Sequence, residues 1–359
     1  MKLIKHEILD ILSCFALDSP VEAADSYGRG HINDTSVVVT LTGNRYILQR
    51  ISTTVFHNVP GLMANVQNVT EYLKANGKSG MKVLSLVPTK DGASYVHLDS
   101  GYWRVYEFVE NSLCLQEPAD DEDFCESARG FGSFMNDLAG FPVEKLCETI
   151  PNFHNTPDRY RIFRKTLEND PMDRAKDVGP EIEFFLAHEA EMGLLEAERQ
   201  QGMLPVRVTH NDTKLNNLLL DKDTRRSLCV LDLDTVMPGL SLYDYGDAIR
   251  YGAATAAEDE RSLEKVSMSL SRFEAFTRGW LEKCTSLTDE EIRLLPLGAK
   301  TMTVECGLRF LTDYIDGDRY FGCYREGQNL DRARTHIKLA MDMEEKWDQM
   351  HGIVERLKK

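Results

Sequence analysis

The chain has 359 residues, of which 42 % are hydrophobic and 28 % charged, and a formal net charge of −16. That is enough apolar material for a full core shared between two lobes. The acidic balance excludes a nucleic-acid or anionic-membrane surface, which would need a concentrated basic patch.

The amino terminus has no long apolar signal core, and no run approaches the ~18 apolar residues of a membrane span. The eight cysteines form neither a C-x-x-C pair nor a zinc spacing, and the nine histidines show no metal pattern. A cytoplasmic protein with reduced thiols is expected, monomeric rather than an obligate oligomer.

In chain order, residues 4–17 fit a helix, and 21–27, 36–41 and 46–51 read as three strands, with Thr42-Gly43-Asn44 as the turn between the last two. Between the first two lies Tyr27-Gly28-Arg29-Gly30-His31-Ile32-Asn33-Asp34. Gly28 and Gly30 there let backbone amides approach phosphates with no Cβ in the way. Residues 60–77 carry Leu62, Met63, Val66, Val69 and Leu73 at helical spacing and stop near Asn76-Gly77. Strands at 82–88, 95–98 and 103–109 follow. Strands, one helix and more strands is the order of an amino-terminal kinase lobe, so residues 1–110 read as a nucleotide-binding lobe. The linker is 107–111, with Glu107 and Val109 offering backbone groups to an adenine edge.

From about residue 118 the pattern is mainly helical, near 120–139, 157–168, 179–200, 258–284, 289–316 and 329–357. Residues 111–359 are therefore expected to form an α-rich second lobe, completing a bilobal α+β fold. Within it stands Val208-Thr209-His210-Asn211-Asp212-Thr213-Lys214-Leu215-Asn216-Asn217, followed by Val230-Leu231-Asp232-Leu233-Asp234. The pattern H-x-D-x-K-x-x-N with strand-borne carboxylates meets the two needs of phosphoryl transfer, a group to take the hydroxyl proton and groups to neutralise the phosphate oxygens. Asp212 reads as the base, Lys214 as the cation at the γ-phosphate, and Asn217 and Asp232 as oxygen donors to one or two Mg²⁺ ions carried with ATP. His210 reads as a brace for the loop.

The loop H-N-D-T-K-L-N-N, the segment L-D-L-D-T-V-M-P-G and the run Tyr243-Asp244-Tyr245-Gly246-Asp247-Ala248-Ile249-Arg250 resemble the aminoglycoside phosphotransferase and choline kinase superfamily. The resemblance is greatest to bacterial N-acetylhexosamine 1-kinases. It extends to Gly30-His31-Ile32-Asn33, Tyr46-Ile47-Leu48-Gln49, Trp103-Arg104-Val105-Tyr106, Phe153-His154-Asn155-Thr156-Pro157 and Glu305-Cys306-Gly307-Leu308-Arg309-Phe310-Leu311, and so covers nearly the whole chain. It implies a protein-kinase-like fold and transfer of the ATP γ-phosphate to the anomeric hydroxyl of GlcNAc or GalNAc. It further implies that Asp212 is the base, that Asn217, Asp232 and Asp234 hold magnesium, and that Asp244 braces the catalytic loop. For the sugar pocket it nominates His31, Arg309 and Tyr320, with Tyr251 beside them.

One departure from the wider kinase pattern stands out. The third strand should carry a lysine paired with a helix glutamate, yet Tyr46-Ile47-Leu48-Gln49-Arg50 has none. Strand parity leaves Gln49 or Arg50 for that position, with Glu71 as a possible partner. Two other functions are compatible with the motif: a kinase for a cationic small molecule such as choline, hydroxylysine or an aminoglycoside, and a nucleotide-binding pseudokinase. No placed histidine or cysteine nucleophile argues for a covalent intermediate, so direct in-line transfer is expected.

Overall fold

A computed structural model describes residues 5–28 and 32–358. The chain opens with a short helix α1 (Lys5–Leu12) and three strands, β1 (Val21–Ser26), β2 (Asp34–Thr40) and β3 (Arg45–Ile51). After helix α2 (Val59–Asn76) come β4 (Leu86–Val87), β5 (Val96–Leu98) and β6 (Gly101–Glu107). These strands form an antiparallel sheet in the order β1-β2-β3-β6-β4, with β5 also on β6. Alternating residues Val38, Leu48, Trp103 and Val105 bury one face of the sheet against Ile11, Leu12 and Phe15, as the two-residue period of a half-buried strand requires.

Helix α2 lies on the opposite face. Asn58 caps it by accepting the Gly61 N–H at 3.0 Å, and Pro60 sits in its first turn, where its missing N–H costs nothing. Its apolar stripe joins the main core, and Asn65 on it donates to the carbonyls of Cys147 and Val236. One helix thereby ties the sheet to the segments around Cys147 and Val236.

Beyond Glu107 a short strand β7 (Ser112–Cys114) leads to α3 (Asp121–Asp137), α4 (Thr156–Asn169), α5 (Gly179–Met192) and α6 (Leu194–Gln200). Two small sheets follow, built from β8 (Arg207–Thr209), β9 (Leu218–Asp221), β10 (Ser227–Val230) and β11 (Met237–Gly239). β9 and β10 form a hairpin that also pairs with β7, while β11 pairs with β8. Helices α7 (Ser241–Gly252), α8 (Leu270–Lys283), α9 (Asp289–Arg293), α10 (Leu295–Asp316), α11 (Gln328–Glu345) and α12 (Trp347–Leu357) complete the chain. A Cβ at Gly246 would lie 2.3 Å from the Gly298 carbonyl, so glycine lets α7 press against α10 directly beneath the catalytic loop.

Several boundaries differ from the sequence reading. The first helix stops at Leu12 rather than 17, and the strand expected over 82–88 narrows to Leu86–Val87. The helices read at 179–200 and 329–357 are each broken in two, at Gly193 and Lys346. The stretch 258–284 is α-helical only from Leu270, with a single 3-10 turn at Leu263–Lys265, which leaves Glu258 on a loop. Apolar periodicity runs across such breaks, because both halves bury the same side of the chain.

Candidate active site

β8 ends at Thr209, and the chain turns through His210 and Asn211 into Asp212. Asn211 is left-handed, with φ 64°, a conformation asparagine tolerates better than most residues. Asp244, in the first turn of α7, accepts the His210 N–H at 2.8 Å and the Asn211 N–H at 2.6 Å. The Asn211 amide donates to the Thr235 carbonyl at 2.9 Å, and the Thr235 hydroxyl donates to the His210 carbonyl at 2.7 Å. His210 is fully buried, and burial lowers its pKa. Its Nε2 donates to the Leu231 carbonyl at 2.7 Å, which leaves Nδ1 to accept the Asp212 N–H at 3.3 Å. His210 and Asp244 therefore both bear on the loop backbone. Burial pushes the Asp244 carboxyl up to about 7, while its two N–H donors pull the other way.

The Asp212 carboxylate is held at both oxygens. Lys214 Nζ lies 2.9 Å from Oδ1, and the Asn217 amide donates to Oδ2 at 2.9 Å and to the Asp212 carbonyl at 2.8 Å. Because the Asn217 nitrogen serves these two acceptors, its Oδ1 takes no donor among the described residues. Asp212 raises the Lys214 pKa well above the ordinary value, outweighing burial. Thr213 donates its N–H to Asp247 at 3.1 Å, and Asp247 pairs with the buried Arg250 at 2.7 Å. Burial alone would raise Asp247, but Arg250 and Lys214 hold it below its ordinary value.

Asp232 follows β10 in a left-handed conformation, φ 53°. Among the described residues no hydrogen bond or ion pair holds its carboxylate. The residue is exposed at the cleft, but the protein packed around its carboxyl, with the charges of Asp234 and Asp212 beside it, raises that group to about 7.

Asp234 is placed differently from the metal role implied for it. Its carboxylate receives Arg104 in a two-pronged pair, NH1 to Oδ1 at 2.5 Å and NH2 to Oδ2 at 2.8 Å, and Asn33 donates to Oδ2 at 2.6 Å. Both partners come from the amino-terminal sheet region, and Asn33 also accepts the Ser52 N–H at 3.0 Å. Arg104 is directly opposite Gln49 in the β3–β6 register and donates Nε and NH2 to its Oε1 at 3.0 and 2.9 Å. Gln49 thus faces the cleft. Arg50, one residue on, points the other way, is 40 % exposed and lies 3.8 Å from Asp34. Glu71 is exposed and accepts from Gln67, so it partners neither. The buried cation missing from the third strand stands on the neighbouring strand, as Arg104.

Residues 26–274 match the model of the phosphotransferase enzyme family. The chain belongs to that family. Among solved structures it is similar to an aminoglycoside phosphotransferase from Alicyclobacillus acidocaldarius, at 14 % identity and a TM-score of 0.65, covering 99 % of this chain and 98 % of that one. A microcompartment-associated aminopropanol kinase matches at 15 % identity and a TM-score of 0.62, over 96 % and 98 % of the two chains. Amicoumacin kinase matches at 14 % and 0.63, over 94 % and 93 %. These likenesses show a shared protein-kinase-like fold, with a sheet-bearing amino-terminal region and a helical remainder.

Within this phosphotransferase, the residues expected near an adenine lie between β6 and β7. Glu107 is exposed and donates its N–H to the Ser85 carbonyl, and the Val109 carbonyl accepts from the Ser112 hydroxyl. The Phe108 ring between them is covered by Arg45, 3.9 Å above it, and by the edge-on ring of Tyr27. Gly28 has φ 78° with open space where a Cβ would be, as a loop that admits a ligand to its backbone requires. Gly30 and His31 lie outside the described residues.

On the acceptor side, the Arg309 guanidinium rests over the rings of Phe153, Tyr320 and Phe321 at 4.9, 5.8 and 5.5 Å. No carboxylate is within ion-pair distance of it among the described residues. Tyr320 is 55 % exposed, which is not core packing. Tyr251 reaches the Gln116 carbonyl at 3.4 Å. Glu258, Cys306 and His336 approach one another closely enough to suggest a metal site. The Arg250 guanidinium already stands there, 2.8 Å from Glu258 and 3.2 Å from His336 Nε2, and its charge opposes a cation.

Arg104 and Asn33 belong to the stretches that carry the family resemblance, with no role of their own legible in the sequence. The available signal was the missing lysine itself, since a buried cation lost from one strand is most simply replaced on the next strand in register.

Proposed function

We propose that the protein transfers the γ-phosphate of ATP to the anomeric hydroxyl of an N-acetylhexosamine, GlcNAc or GalNAc, in a single in-line step. The carrying observation is the state of three side chains. Asp212 is oriented by Lys214 and Asn217, and beside it stand an Asn217 oxygen and an Asp232 carboxylate that have, respectively, no donor and no partner among the described residues. In this reading residues 1–110 form the nucleotide lobe, residues 111–359 the catalytic and acceptor lobe, and Glu107 to Val109 the hinge with the adenine.

The donor set fits a hard divalent cation, because an amide oxygen and a carboxylate are the ligands Mg²⁺ accepts while keeping waters and substrate phosphate oxygens. Asn217 and Asp232 would hold it. Asp234 is engaged by Arg104 and serves instead to tie the sheet to the catalytic region. When bound, the metal supplies charge neutralisation at the transferring phosphoryl group. Asp212 orients the acceptor hydroxyl and takes its proton, and Lys214 places a permanent positive charge next to the reacting oxygens. Arg104 and Gln49 line the cleft where a kinase lysine would otherwise meet the nucleotide phosphates. Amicoumacin kinase, similar in fold, is known in complex with AMP-PNP and Ca²⁺, which supports a nucleotide and a divalent cation in such a cleft.

A neutral, oxygen-rich acceptor is favoured over a cationic one by Arg309. A guanidinium with no carboxylate pair among the described residues, flanked by Tyr320 and aromatic faces, donates to sugar oxygens and repels an ammonium group. The test is ADP release with Mg·ATP and a panel of N-acetylhexosamines, simple hexoses, choline and hydroxylysine. Turnover confined to GlcNAc and GalNAc supports the reading. Preference for choline or hydroxylysine refutes it, and nucleotide binding without turnover on any acceptor identifies a pseudokinase.

A further inference from the structure

The segment Phe153-His154-Asn155-Thr156-Pro157 has a local role that accounts for only part of it. Asn155 caps α4 by accepting the Asp158 N–H at 3.1 Å, and Pro157 occupies the first turn. Phe153 and His154 are not needed for that, and both turn toward the active site. His154 is buried, its Nδ1 lies 2.8 Å from Glu305 Oε1, and its Nε2 lies 3.2 Å from the Asn211 carbonyl. A carboxylate and a carbonyl only accept, so both ring nitrogens donate. Glu305 is fully buried on α10 and also accepts the Thr156 hydroxyl at 2.5 Å. Burial would raise the Glu305 carboxyl, but His154, Arg159 and Arg309 hold it below its ordinary value.

The carbonyl that His154 grips belongs to the peptide bond leading into Asp212. The N–H of the same peptide goes to His210 Nδ1. The plane that sets the direction of the catalytic carboxylate is thus pinned from two sides, by His210 within the loop itself and by His154 from the segment just before α4. Arg309 lies one helical turn beyond Glu305 on α10, and its guanidinium covers the ring of Phe153, the residue next to His154.

We propose that His154 and Glu305 form a positioning pair that fixes the Asn211–Asp212 peptide and, through Arg309 and Phe153, couples occupation of the acceptor pocket to the placement of Asp212. The coupling half rests on the sugar reading above; the positioning half does not. Neither residue touches the reacting atoms. A buried, charge-assisted hydrogen bond on a left-handed residue is the kind of restraint whose loss frees a short loop without unfolding its surroundings.

The experiment is hydrogen–deuterium exchange on the full chain, following the peptide that spans 206–218, with steady-state kinetics alongside. In His154→Ala and Glu305→Gln, exchange in that peptide should rise about tenfold or more, while α8 and α12 stay within twofold of wild type. The turnover number should fall roughly tenfold to a hundredfold, with KM for nucleotide little changed. His154→Gln, which keeps a donor for the Asn211 carbonyl, should recover most of both. In wild type, saturating GlcNAc should slow exchange at 206–218, and His154→Ala should abolish that response.

Unchanged exchange in the loop, or a uniform rise across the whole chain, overturns the positioning role. If His154→Gln is as impaired as His154→Ala, the donor to Asn211 is not what matters and the proposal fails. If GlcNAc leaves wild-type exchange and ADP release untouched, the sugar reading falls with the coupling half. The sugar-free exchange in His154→Ala still decides the positioning half.

Discussion

The Arg104–Asp234 pair gives the sharpest quantitative expectation. Both side chains are 1 % exposed. Replacing Arg104 with Met keeps the bulk of the stem but strips the guanidinium, leaving the Asp234 carboxylate in the interior with only the Asn33 amide as a hydrogen-bond partner among the described residues. Gln49 Oε1 loses two donors at the same time. Breaking a buried ion pair from one side costs about 3–5 kcal/mol, because the remaining charge is no longer compensated. That is a large share of the ~5–15 kcal/mol that holds a domain together, and for a chain of this size it lowers Tm by roughly 4–7 °C. Asp234→Asn should cost less, since Gln49 still engages Arg104 and the amide oxygen accepts one bond. The double variant Arg104→Met/Asp234→Asn removes both charges and should be more stable than the sum of the single losses by about 2–3 kcal/mol. Arg104→Lys, which keeps the charge but not the planar fork, should fall between wild type and Met. Thermal unfolding by circular dichroism on the nucleotide-free protein measures all four. Additivity within ~0.5 kcal/mol would mean the two groups do not act as a unit, and the account of Asp234 as a structural clamp would be wrong.

Asp212→Asn should cut turnover by about a thousandfold or more while nucleotide affinity stays within about twofold; titration calorimetry with a non-hydrolysable nucleotide separates the two, and retained turnover removes Asp212 as the base. Asp232→Ala should weaken Mg·nucleotide binding itself, and unchanged affinity would exclude a metal role. The pH dependence has a defined sign. Asp232 is raised to about 7 in the ligand-free protein, so below that pH the metal must displace a proton. Affinity should then fall about tenfold per pH unit below 7 and level off above it, whereas an affinity independent of pH between 5 and 7 would contradict the raised value. The same shift means that the ligand-free protein loses a contribution to stability as pH rises from the ordinary carboxylate range through 7, and Mg·nucleotide should reverse that loss. Arg50→Ala, on the solvent side of β3, should leave stability within about 0.5 kcal/mol and activity unaltered, whereas Gln49→Ala should cost about 1–2 kcal/mol by leaving Arg104 short of an acceptor.

The parts of this protein that could be read from its sequence are those where neighbouring residues specify one another. The turn at His210 to Asn217 is local, and its side chains interact over two to five positions. Helix α2 announces itself by its apolar stripe and its stop at Asn76-Gly77. What escaped the sequence depends on separations of tens to hundreds of residues. Nothing near Asp234 says that Arg104 will arrive from β6, or that Asn33 will reach across from the turn before the second strand. The choice between Gln49 and Arg50 needed the register of β3 against β6, because alternation gives opposite faces to adjacent residues without saying which face is the cleft. Helix breaks at Gly193 and Lys346 were invisible for a related reason, since packing on one core preserves the apolar period through a change of axis.

The acidic balance of the chain raises a question that the site answers. Five aspartates, 212, 232, 234, 244 and 247, crowd the catalytic loop, and such a cluster must be neutralised to exist. Asp212 has Lys214 and Asn217, Asp234 has Arg104 and Asn33, Asp244 has two backbone N–H groups, and Asp247 has Arg250 and the Thr213 N–H. Each of these arrangements satisfies its carboxylate within the protein. Asp232 alone among them has no partner among the described residues, and burial with the neighbouring charges of Asp234 and Asp212 raises its carboxyl to about 7. A protein that merely needed a stable loop would be better served by an asparagine there, which has no charge to compensate. An uncompensated carboxylate next to an unused amide oxygen is instead what a site keeps when the missing positive charge comes with its substrate, and in the proposed function Mg·ATP brings that charge. The geometry therefore argues that the loop is completed electrostatically only when nucleotide is bound. The apo protein should accordingly gain more stability from Mg·ATP than from ATP without metal, and equal stabilisation by the two would count against Asp232 as the vacant partner.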